Sequence, residues 1–340
     1  MISTLAHMND IHDAKEIVMK LNRRNLIIAS SAFLCFGGVA FAQDDFPNKP
    51  IKIIAPFAPG SSDMIARRLG EYAGKTLGQP IVVETRPGGQ GTVASRVIAK
   101  SKGDGYTLLL GTNSTHAASV HLFKELGYDP IKDFTPIIRF TVNPLMLVVR
   151  ADIPVRTVPE FIQYAKQRSG KLNYGTGNSG SLVAAQMLKI QAGIDAVGVN
   201  YPGNAQAVND FVAGRLDFMV TDPLIVKSFV QAGKLRILGL TSKQRLSTFA
   251  DVVPLTESGL PQFEYASWIG LFGPADMPAE VTRKLHDAFA KALAERDNVR
   301  FLADIGMIAA GTSPAEFGAY VQEQISFWGR LTKDAGLTPQ

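Results

Sequence analysis

Short apolar runs alternate with amphipathic stretches through the middle of this chain, and this alternation constrains the fold more than any other feature. Over residues 50–240 the apolar runs are IKIIAPF, PIVVE, YTLLLG, LMLVV, KLNYG, LDFMV and LRILGL. In the stretch after the first run, Ile65, Leu69, Tyr72 and Ala73 repeat at the spacing of one helix face. Strands that alternate with helices predict an α/β protein, with mainly parallel sheets covered by helices on both faces.

Two long apolar segments break the alternation because they read as extended chain without a following turn. They are residues 134–150 (FTPIIRFTVNPLMLVVR) and residues 263–274 (FEYASWIGLFGP). We interpret them as crossovers between two lobes, with residues 47–143 and 268–340 in lobe 1 and residues 144–267 in lobe 2. Ligands of open α/β sheets bind beyond the carboxyl ends of the strands, so we expect the site between the lobes.

The beginning of the chain has the pattern of a secretory signal. Arg23 and Arg24 precede an uncharged apolar run that ends in Ala-Phe-Ala at residues 40–42. That order of charge, apolar run and small residues predicts a signal peptide over residues 1–42, cleaved after residue 42. The alternative is a membrane anchor, for which the run is at the short limit.

The start of translation and the export route stay open. Met19 followed by KLNRRN makes a more ordinary signal start than the polar stretch after Met1. The arginine pair and the NLI after it partly resemble a twin-arginine signal, but such pairs also occur in ordinary secretory signals. The single cysteine, Cys35, lies inside the predicted signal, so the mature chain would hold no disulfide and no thiolate metal site.

Composition narrows the class of partner. An apolar fraction of 46% is enough for a large core, and the net charge of +5 is spread along 340 residues without basic runs. This distribution argues against nucleic acid as a partner. A mildly basic exported protein suits a small anionic molecule.

Two turns lead from a strand into a helix through glycine and serine. The first is PFAPGSSDMIARRL (residues 56–69) and the second is NYGTGNSGSLVAAQML (residues 173–188), with a helix expected from about Ser181. The first N–H groups of a helix have no partner inside it, and the helix dipole makes that end positive. One such turn in each lobe would clamp a carboxylate without an arginine. The alternative is that Ser62 or Asp63 only caps its own helix.

Further polar residues stand where strands end, in GTNST (111–115), NYPGN (200–204) and TDP (221–223). Asp222 is the most specific of them, because a carboxylate in the cleft would accept a hydrogen bond from an ammonium or hydroxyl group of the ligand. Its alternative role is a helix cap before Pro223.

Enzyme signatures are incomplete in this chain. GNSGS (177–181) lacks the last glycine of a nucleophile elbow, and the only histidines after residue 42 are His116, His121 and His286. GQGTVA (89–94) resembles a dinucleotide fingerprint, but no acidic residue ends the next strand, so we interpret it as a tight turn. No metal-ligand spacing occurs. We therefore predict no catalytic residue, no cofactor and no metal.

The mature sequence resembles one family along nearly its whole length. The matching segments, in order, are PNKPIKIIAPFAPGSSDMIAR, LGQPIVVETRPGGQGTVAS, GDGYTLLLGT, YDPIKDFTPI, GKLNYGTGNSGS, AGKLRILGLTSKQR, VPLTESGLPQFEYASWIGLFGPADMP and TSPAEF. They are similar to the Bug-type extracytoplasmic solute receptors of tripartite tricarboxylate transporters. The resemblance implies a two-lobed periplasmic binding protein of type II (Venus-flytrap) with two crossover strands, which captures a small carboxylate and delivers it to a membrane permease. We expect a monomer in the periplasm, and no enzyme.

The expected ligand-binding residues come from both lines of reasoning. The resemblance assigns the grip on the carboxylate to the two turns, partly through water, and the strand ends supply the rest. The full set is Phe57, Ala58, Gly60, Ser61, Ser62, Asp63, Thr112, Asn113, Ser114, Asn178, Ser179, Gly180, Ser181, Tyr201 and Asp222.

The chain departs from the family pattern at three places around this set. Two serines (61–62) stand where the family usually has two glycines, Val-Ala-Ala (183–185) replaces His-Leu-Ala, and Tyr-Pro-Gly (201–203) replaces Tyr-Lys-Gly. The last change removes a lysine that would meet a distal anion. We therefore hypothesise a ligand with one firmly held carboxylate and a less anionic far end, such as an aromatic or short aliphatic acid.

Two other functions remain open from the sequence. A liganded receptor of this kind would also suit a membrane sensor kinase, and an exported hydrolase is a weaker alternative because the histidine partner is absent. The particular carboxylate, the permease and the role of bridging water are open as well.

Overall fold

The structure is a computed structural model that describes residues 46–243, 245–334 and 336–339. From Pro47 onward the chain forms one compact unit. The predicted signal peptide (residues 1–42), its two possible starts and Cys35 lie outside the described residues. Within the described part of the chain, no helix combines the length and the apolar character needed to cross a bilayer.

Most of the strands follow the predicted apolar runs and the two predicted crossover segments. They are β1 (Ile51–Ala55), β2 (Ile81–Thr85), β3 (Thr107–Thr112), β4 (Phe134–Pro144), β5 (Met146–Arg150), β6 (Asn173–Thr176), β7 (Val197–Asn200), β8 (Phe218–Thr221), β9 (Leu235–Leu240), β10 (Ala266–Pro274) and β11 (Ile308–Ala309).

The helices occupy the intervening stretches. They are α1 (Ser61–Leu77), α2 (Thr92–Ala99), α3 (Ser119–Leu122), α4 (Val158–Lys166), α5 (Ser179–Ala192), α6 (Asn204–Val212), α7 (Pro223–Gln231), α8 (Ala279–Ala294), α9 (Arg296–Asp304) and α10 (Pro314–Asp334). A turn of π-helix, Ser114–Ala118, leads from the end of β3 into α3.

The described strands form two sheets, which confirms the α/β fold class. The first has the order β11-β4-β10-β3-β1-β2 and the second the order β7-β6-β8-β5-β9. The expectation of mainly parallel sheets is wrong in detail, because both are mixed. Strands β1, β2 and β3 pair in parallel, whereas β10 runs antiparallel to β3 and β4. In the second sheet β6 is parallel to β7 and β8, and β5 is antiparallel to β8 and β9.

The antiparallel pairs arise where the chain passes between the sheets. After β4 in the first sheet, Leu145 alone separates it from β5 in the second, and β10 returns after β9. Strands β4 and β10 pair with each other, with Asn143 opposite Ser267. The two segments predicted as crossovers are therefore strands lying side by side. The lobe boundaries drawn from them stay a prediction.

Burial follows the predicted helix faces. On α1, Ile65, Leu69 and Ala73 are buried while Tyr72 is half-buried, and this face packs against α8. In the last helix, Trp328 is fully buried. These aromatic and aliphatic side chains are core residues, because the period of 3.6 turns them to one side of their helices.

The glycine-rich segment before α2 is a tight turn, as expected. Gly91 has φ of 95°, and a Cβ atom there would lie 2.6 Å from the Thr115 side chain. Only glycine satisfies both the backbone conformation and the close approach. The GQGTVA segment thus lets α2 pack against the π-helical turn.

His116 lies in the core beneath the end of β3. Its ring stacks on Phe272 with centroids 3.9 Å apart, its edge meets Phe134, and Nδ1 lies 2.9 Å from Thr115 Oγ1. Among the described residues, none offers its Nε2 a hydrogen bond. Burial lowers the pKa of this imidazole from 6.5 to about 3. His116 is therefore a neutral core residue at neutral pH.

This burial predicts acid sensitivity of the fold. Between pH 6.5 and about 3, the unfolded chain protonates His116 while the folded protein does not, so stability falls as the pH drops through this window. From pH 7.5 to pH 5 we expect His116 to remove about 2 kcal/mol from the free energy of unfolding. Denaturant titrations at both values, on the wild type and on His116→Phe, measure it. An equally steep loss in the variant would assign the acid sensitivity to other groups.

Candidate functional site

A cavity of about 130 Å³ lies where elements of both sheets meet. Its lining joins the loop before α1, the end of β3, the paired crossover strands and the starts of α5, α6 and α7. The residues that line it are Phe57, Ala58, Pro59, Gly60, Ser61, Ser62, Thr112, Asn113, Ser114, Asn143, Leu145, Gly177, Asn178, Gly180, Pro202, Gly203, Asn204, Ala205, Gln206, Asp222, Ile225, Ser267, Trp268 and Ile269.

The start of α1 presents free backbone donors to this cavity. Asp63, in the first turn, accepts a hydrogen bond from Gly60 N–H at 2.5 Å and pairs with Arg67 Nε at 3.2 Å. Asp63 therefore stabilises the first turn of the helix through its own side chain. No described residue accepts a hydrogen bond from the N–H groups of Ser61 or Ser62. Both are available to an anion.

The start of α5 is arranged in the same way. The Asn178 side chain caps the helix, with Oδ1 accepting from Ser181 N–H at 2.8 Å. The Ser181 hydroxyl donates to the Asn178 carbonyl oxygen at 2.9 Å and accepts from Gly177 N–H at 3.1 Å. Within the described part of the chain, the N–H groups of Ser179 and Gly180 find no acceptor. The helix begins two residues before the predicted Ser181, because Asn178 caps it.

A third helix start reaches the cavity: NYPGN (200–204) is a predicted strand end of the cleft, but the sequence analysis does not predict that a helix begins there. Gly203, Asn204, Ala205 and Gln206, at the beginning of α6, all line it. This start touches the α5 turn closely: a Cβ atom on Gly177 would lie 2.0 Å from Asn204 N. The sequence NYPGNAQA (residues 200–207) has the pattern of such a start, because a strand end is followed by Pro-Gly and then by an amphipathic stretch.

Asn204 connects the starts of α5, α6 and α7. This side chain is buried, and its Oδ1 accepts from Gly177 N–H at 2.7 Å and lies 3.1 Å from the Ser181 hydroxyl. Its Nδ2 donates to Asp222 Oδ2 at 3.2 Å. Burial raises the pKa of the Asp222 carboxyl, and the hydrogen bond from Asn204 opposes that rise.

One side-chain hydrogen bond joins the α5 start to the turn before α2, and another joins the end of β3 to the residue before β10. Ser179 Oγ donates to Gln90 Oε1 at 2.6 Å, and Asn113 Nδ2 donates to the Tyr265 hydroxyl at 3.2 Å. Tyr265 lies beside Gly180, where an added Cβ would be 2.8 Å from the phenolic oxygen. Burial raises the pKa of Tyr265 well above its usual value, so this hydroxyl is neutral.

Most residues expected to bind ligand come together here. The eleven that line the cavity are Phe57, Ala58, Gly60, Ser61, Ser62, Thr112, Asn113, Ser114, Asn178, Gly180 and Asp222. Asp63, Ser179, Ser181 and Tyr201 do not line it. The first three make the contacts given above, and the Tyr201 hydroxyl donates to Asp210 Oδ2 at 2.9 Å. That these four residues contact the ligand stays a prediction.

The crossover strands contribute lining residues absent from the expected set. Asn143 and Ser267 face each other across the β4–β10 pair, and Leu145 lies at the passage to the second sheet. The sequence predicts the crossovers, but their pairing, which brings these residues into the lining, depends on contacts between distant strands.

The charge in the lining is unusual for an anion site. Among the described residues, no lysine, arginine or histidine lines the cavity, and no group of His, Cys, Asp or Glu is suited to hold a metal. Positive potential here comes from the starts of α1, α5 and α6, each with partial charge from aligned peptide dipoles. The lining thus offers N–H donors and partial positive charge from three helix starts.

Comparison with known proteins agrees with this geometry. The model of a family described as "Tripartite tricarboxylate transporter family receptor" matches residues 65–337. The solved structure of R. palustris Rpa4515 with adipate superposes with a TM-score of 0.84 and 30% identity, covering 87% of this chain and all of that one. MatC (Rpa3494) from Rhodopseudomonas palustris with bound malate superposes with a TM-score of 0.78 and 32% identity, covering 84% of this chain and 99% of that one.

A third structure indicates the compartment. The periplasmic binding protein BugD superposes with a TM-score of 0.81 and 29% identity, over 87% of this chain and 100% of BugD. With a family match over residues 65–337 and relatives aligned along their full length, this α/β chain belongs to the tripartite tricarboxylate transporter receptor family of periplasmic solute-binding proteins, which are not enzymes.

Proposed function

We propose that this receptor captures a small carboxylate in the cavity between its two sheets and delivers it to the permease of a tripartite tricarboxylate-type transporter. One observation carries the proposal: three helix starts, those of α1, α5 and α6, line the same cavity. At two of them, the lining residues Ser61, Ser62 and Gly180 have N–H groups without a protein acceptor among the described residues.

Carboxylate is the group that best fits these donors. It accepts several hydrogen bonds at once, and charge-assisted bonds from N–H groups are stronger than neutral ones. Helix N-termini supply both the donors and the favourable potential, so no arginine is needed. Adipate and malate in the two R. palustris structures support this ligand class.

We further propose that capture is coupled to lobe closure. The crossover strands β4 and β10 join residues 47–143 and 268–340 to residues 144–267. Bending near Asn143 and Ser267 would open and close the cavity while each sheet stays rigid. The contact of Ser179 with Gln90 would then form on closure. We expect the receptor to act as a monomer, exported by the signal over residues 1–42.

Uptake by living cells tests delivery to a permease. Deleting the gene should abolish uptake of the radiolabelled acid that the purified protein binds, and a plasmid copy should restore it. Normal uptake in the deletion strain, with loss of an acid-dependent transcriptional response, would contradict transport and favour a sensor-kinase partner.

A further inference from the structure

Asp222 places an acidic side chain in a cavity that is otherwise lined by the positive starts of helices. Capture of a carboxylate does not explain an acid at this position. Asp222 is the only ionisable side chain in the lining, as far as the structure describes the chain. A second carboxylate of the ligand beside it would meet a like charge at low dielectric with no neighbouring cation. An ionised Asp222 therefore disfavours a second carboxylate at this point of the cavity.

The hydrogen bonds around Asp222 show that its carboxyl acts as a hydrogen-bond acceptor. Gly177 N–H can only donate, so the Asn204 atom that receives it at 2.7 Å must be the amide oxygen. The Asn204 Nδ2 then faces Asp222 Oδ2 as a donor, and Asp222 acts as its acceptor. An ionised carboxylate has about four lone-pair sites, so acceptor capacity remains for the cavity beyond the bonds from Asn204 and from the backbone N–H of Asp222 itself.

Asn143 adds a second acceptor on the crossover strands that line the cavity. This side chain is 2% exposed, and its Oδ1 has no hydrogen-bond partner among the described residues. A buried acceptor without a donor is unfavourable, and a ligand donor or a water molecule would relieve it. Asp222 is therefore the acceptor that calls for a hydrogen-bond donor in the cavity, and the unpaired Oδ1 of Asn143 belongs to a residue of the same lining.

We propose that the ligand is a small carboxylic acid bearing a hydroxyl or ammonium group, which donates a hydrogen bond to Asp222, and that Asp222 disfavours the corresponding unsubstituted diacid. This inference rests on the proposed capture of a carboxylate and specifies its ligand class. The carboxylate meets the helix starts, and the donor meets the acidic residue at the start of α7.

Matched acids test the donor requirement. Calorimetry on the full mature protein would compare succinate, malate and aspartate, which differ only in hydrogen, hydroxyl or ammonium at one carbon, and the analogous sets of three to six carbons. A hydrogen bond to a charged acceptor predicts that the best hydroxy or amino acid binds about tenfold or more tightly than its parent acid.

The isosteric variant Asp222→Asn tests whether Asp222 causes the preference for hydroxy or amino acids. It keeps an acceptor for Asn204 and removes the charge, so the preference should shrink to about threefold or less, with a larger drop for an ammonium than for a hydroxyl ligand. The wild-type series is informative even if this variant folds poorly.

The two proposals fail differently. If no acid in the panel binds, capture of a small carboxylate is wrong, and the donor requirement falls with it. If parent diacids bind as tightly as their substituted forms, the receptor function stands and the role of Asp222 is overturned; a protonated Asp222 donating to the second carboxylate would give that result.

Discussion

The Ser62→Phe substitution is expected to lower the affinity for the captured acid by at least about a hundredfold, while the fold stays intact. Ser62 lines the cavity in the first turn of α1, where its side chain is half-buried and its N–H is free of protein acceptors among the described residues. A phenyl ring there would fill much of a cavity of about 130 Å³. The helix backbone accommodates phenylalanine at this position without strain.

The matched control is Ser326→Phe, which places the same ring on an exposed position of α10. Calorimetric titration of both variants measures affinity, and thermal unfolding measures stability. We expect only Ser62→Phe to lose binding, with both unfolding midpoints within about 4 °C of the wild type. Equal affinities in the two variants would show that the ligand does not occupy this cavity.

The Asn204→Leu substitution should weaken both the fold and the site. Leucine has a similar volume, so little cavity forms, but the Asp222 carboxyl loses its hydrogen bond from Asn204, and Gly177 N–H keeps only the longer bond to Ser181 Oγ. Losing these buried hydrogen bonds should lower the free energy of unfolding by about 2 kcal/mol. Affinity should also fall, because Asn204 holds the α5 and α6 starts together.

Asn209→Leu is the control on the same helix, because Asn209 is exposed. Denaturant titrations of the two variants give the difference in stability, and calorimetry gives the affinities. If both variants unfold at the same denaturant concentration, Asn204 has no linking role and the positions of the three helix starts depend on other contacts.

The sequence predicted the positions of the strands and helices better than the directions in which the strands pair. Apolar runs and helical periodicity are local signals, and they located β1, α1 and the two crossovers. Strand direction depends on which strands become neighbours, and nothing local records that β10 inserts between β3 and β4. The prediction of mainly parallel sheets failed for this reason.

The sequence predicted those residues of the candidate site that belong to a local strand-turn-helix motif and also line the cavity. Ser61, Ser62 and Gly180 follow the strand-turn-helix pattern and line the cavity. Asp63 and Ser181 belong to the same motifs, but their side chains bond to backbone groups of their own turns. A motif places the residue in the turn, and only the turn conformation decides which way each side chain points.

The missed parts of the site have weak local signals. Strand β7, before the α6 start, is four residues long and exposed throughout, so its apolar pattern is faint. Asn143 and Ser267 enter the site through pairing between distant strands. Such residues are found from the sequence only after the crossovers have been paired.

A crystal structure of the mature receptor with its bound acid tests most directly whether the helix starts hold the ligand. We predict one carboxylate of the ligand in the cavity, with oxygens within about 3.2 Å of backbone N–H groups from the starts of both α1 and α5, or joined to them by a single water. A ligand bound outside this cavity, or one whose carboxylate faces neither helix start, would contradict the account.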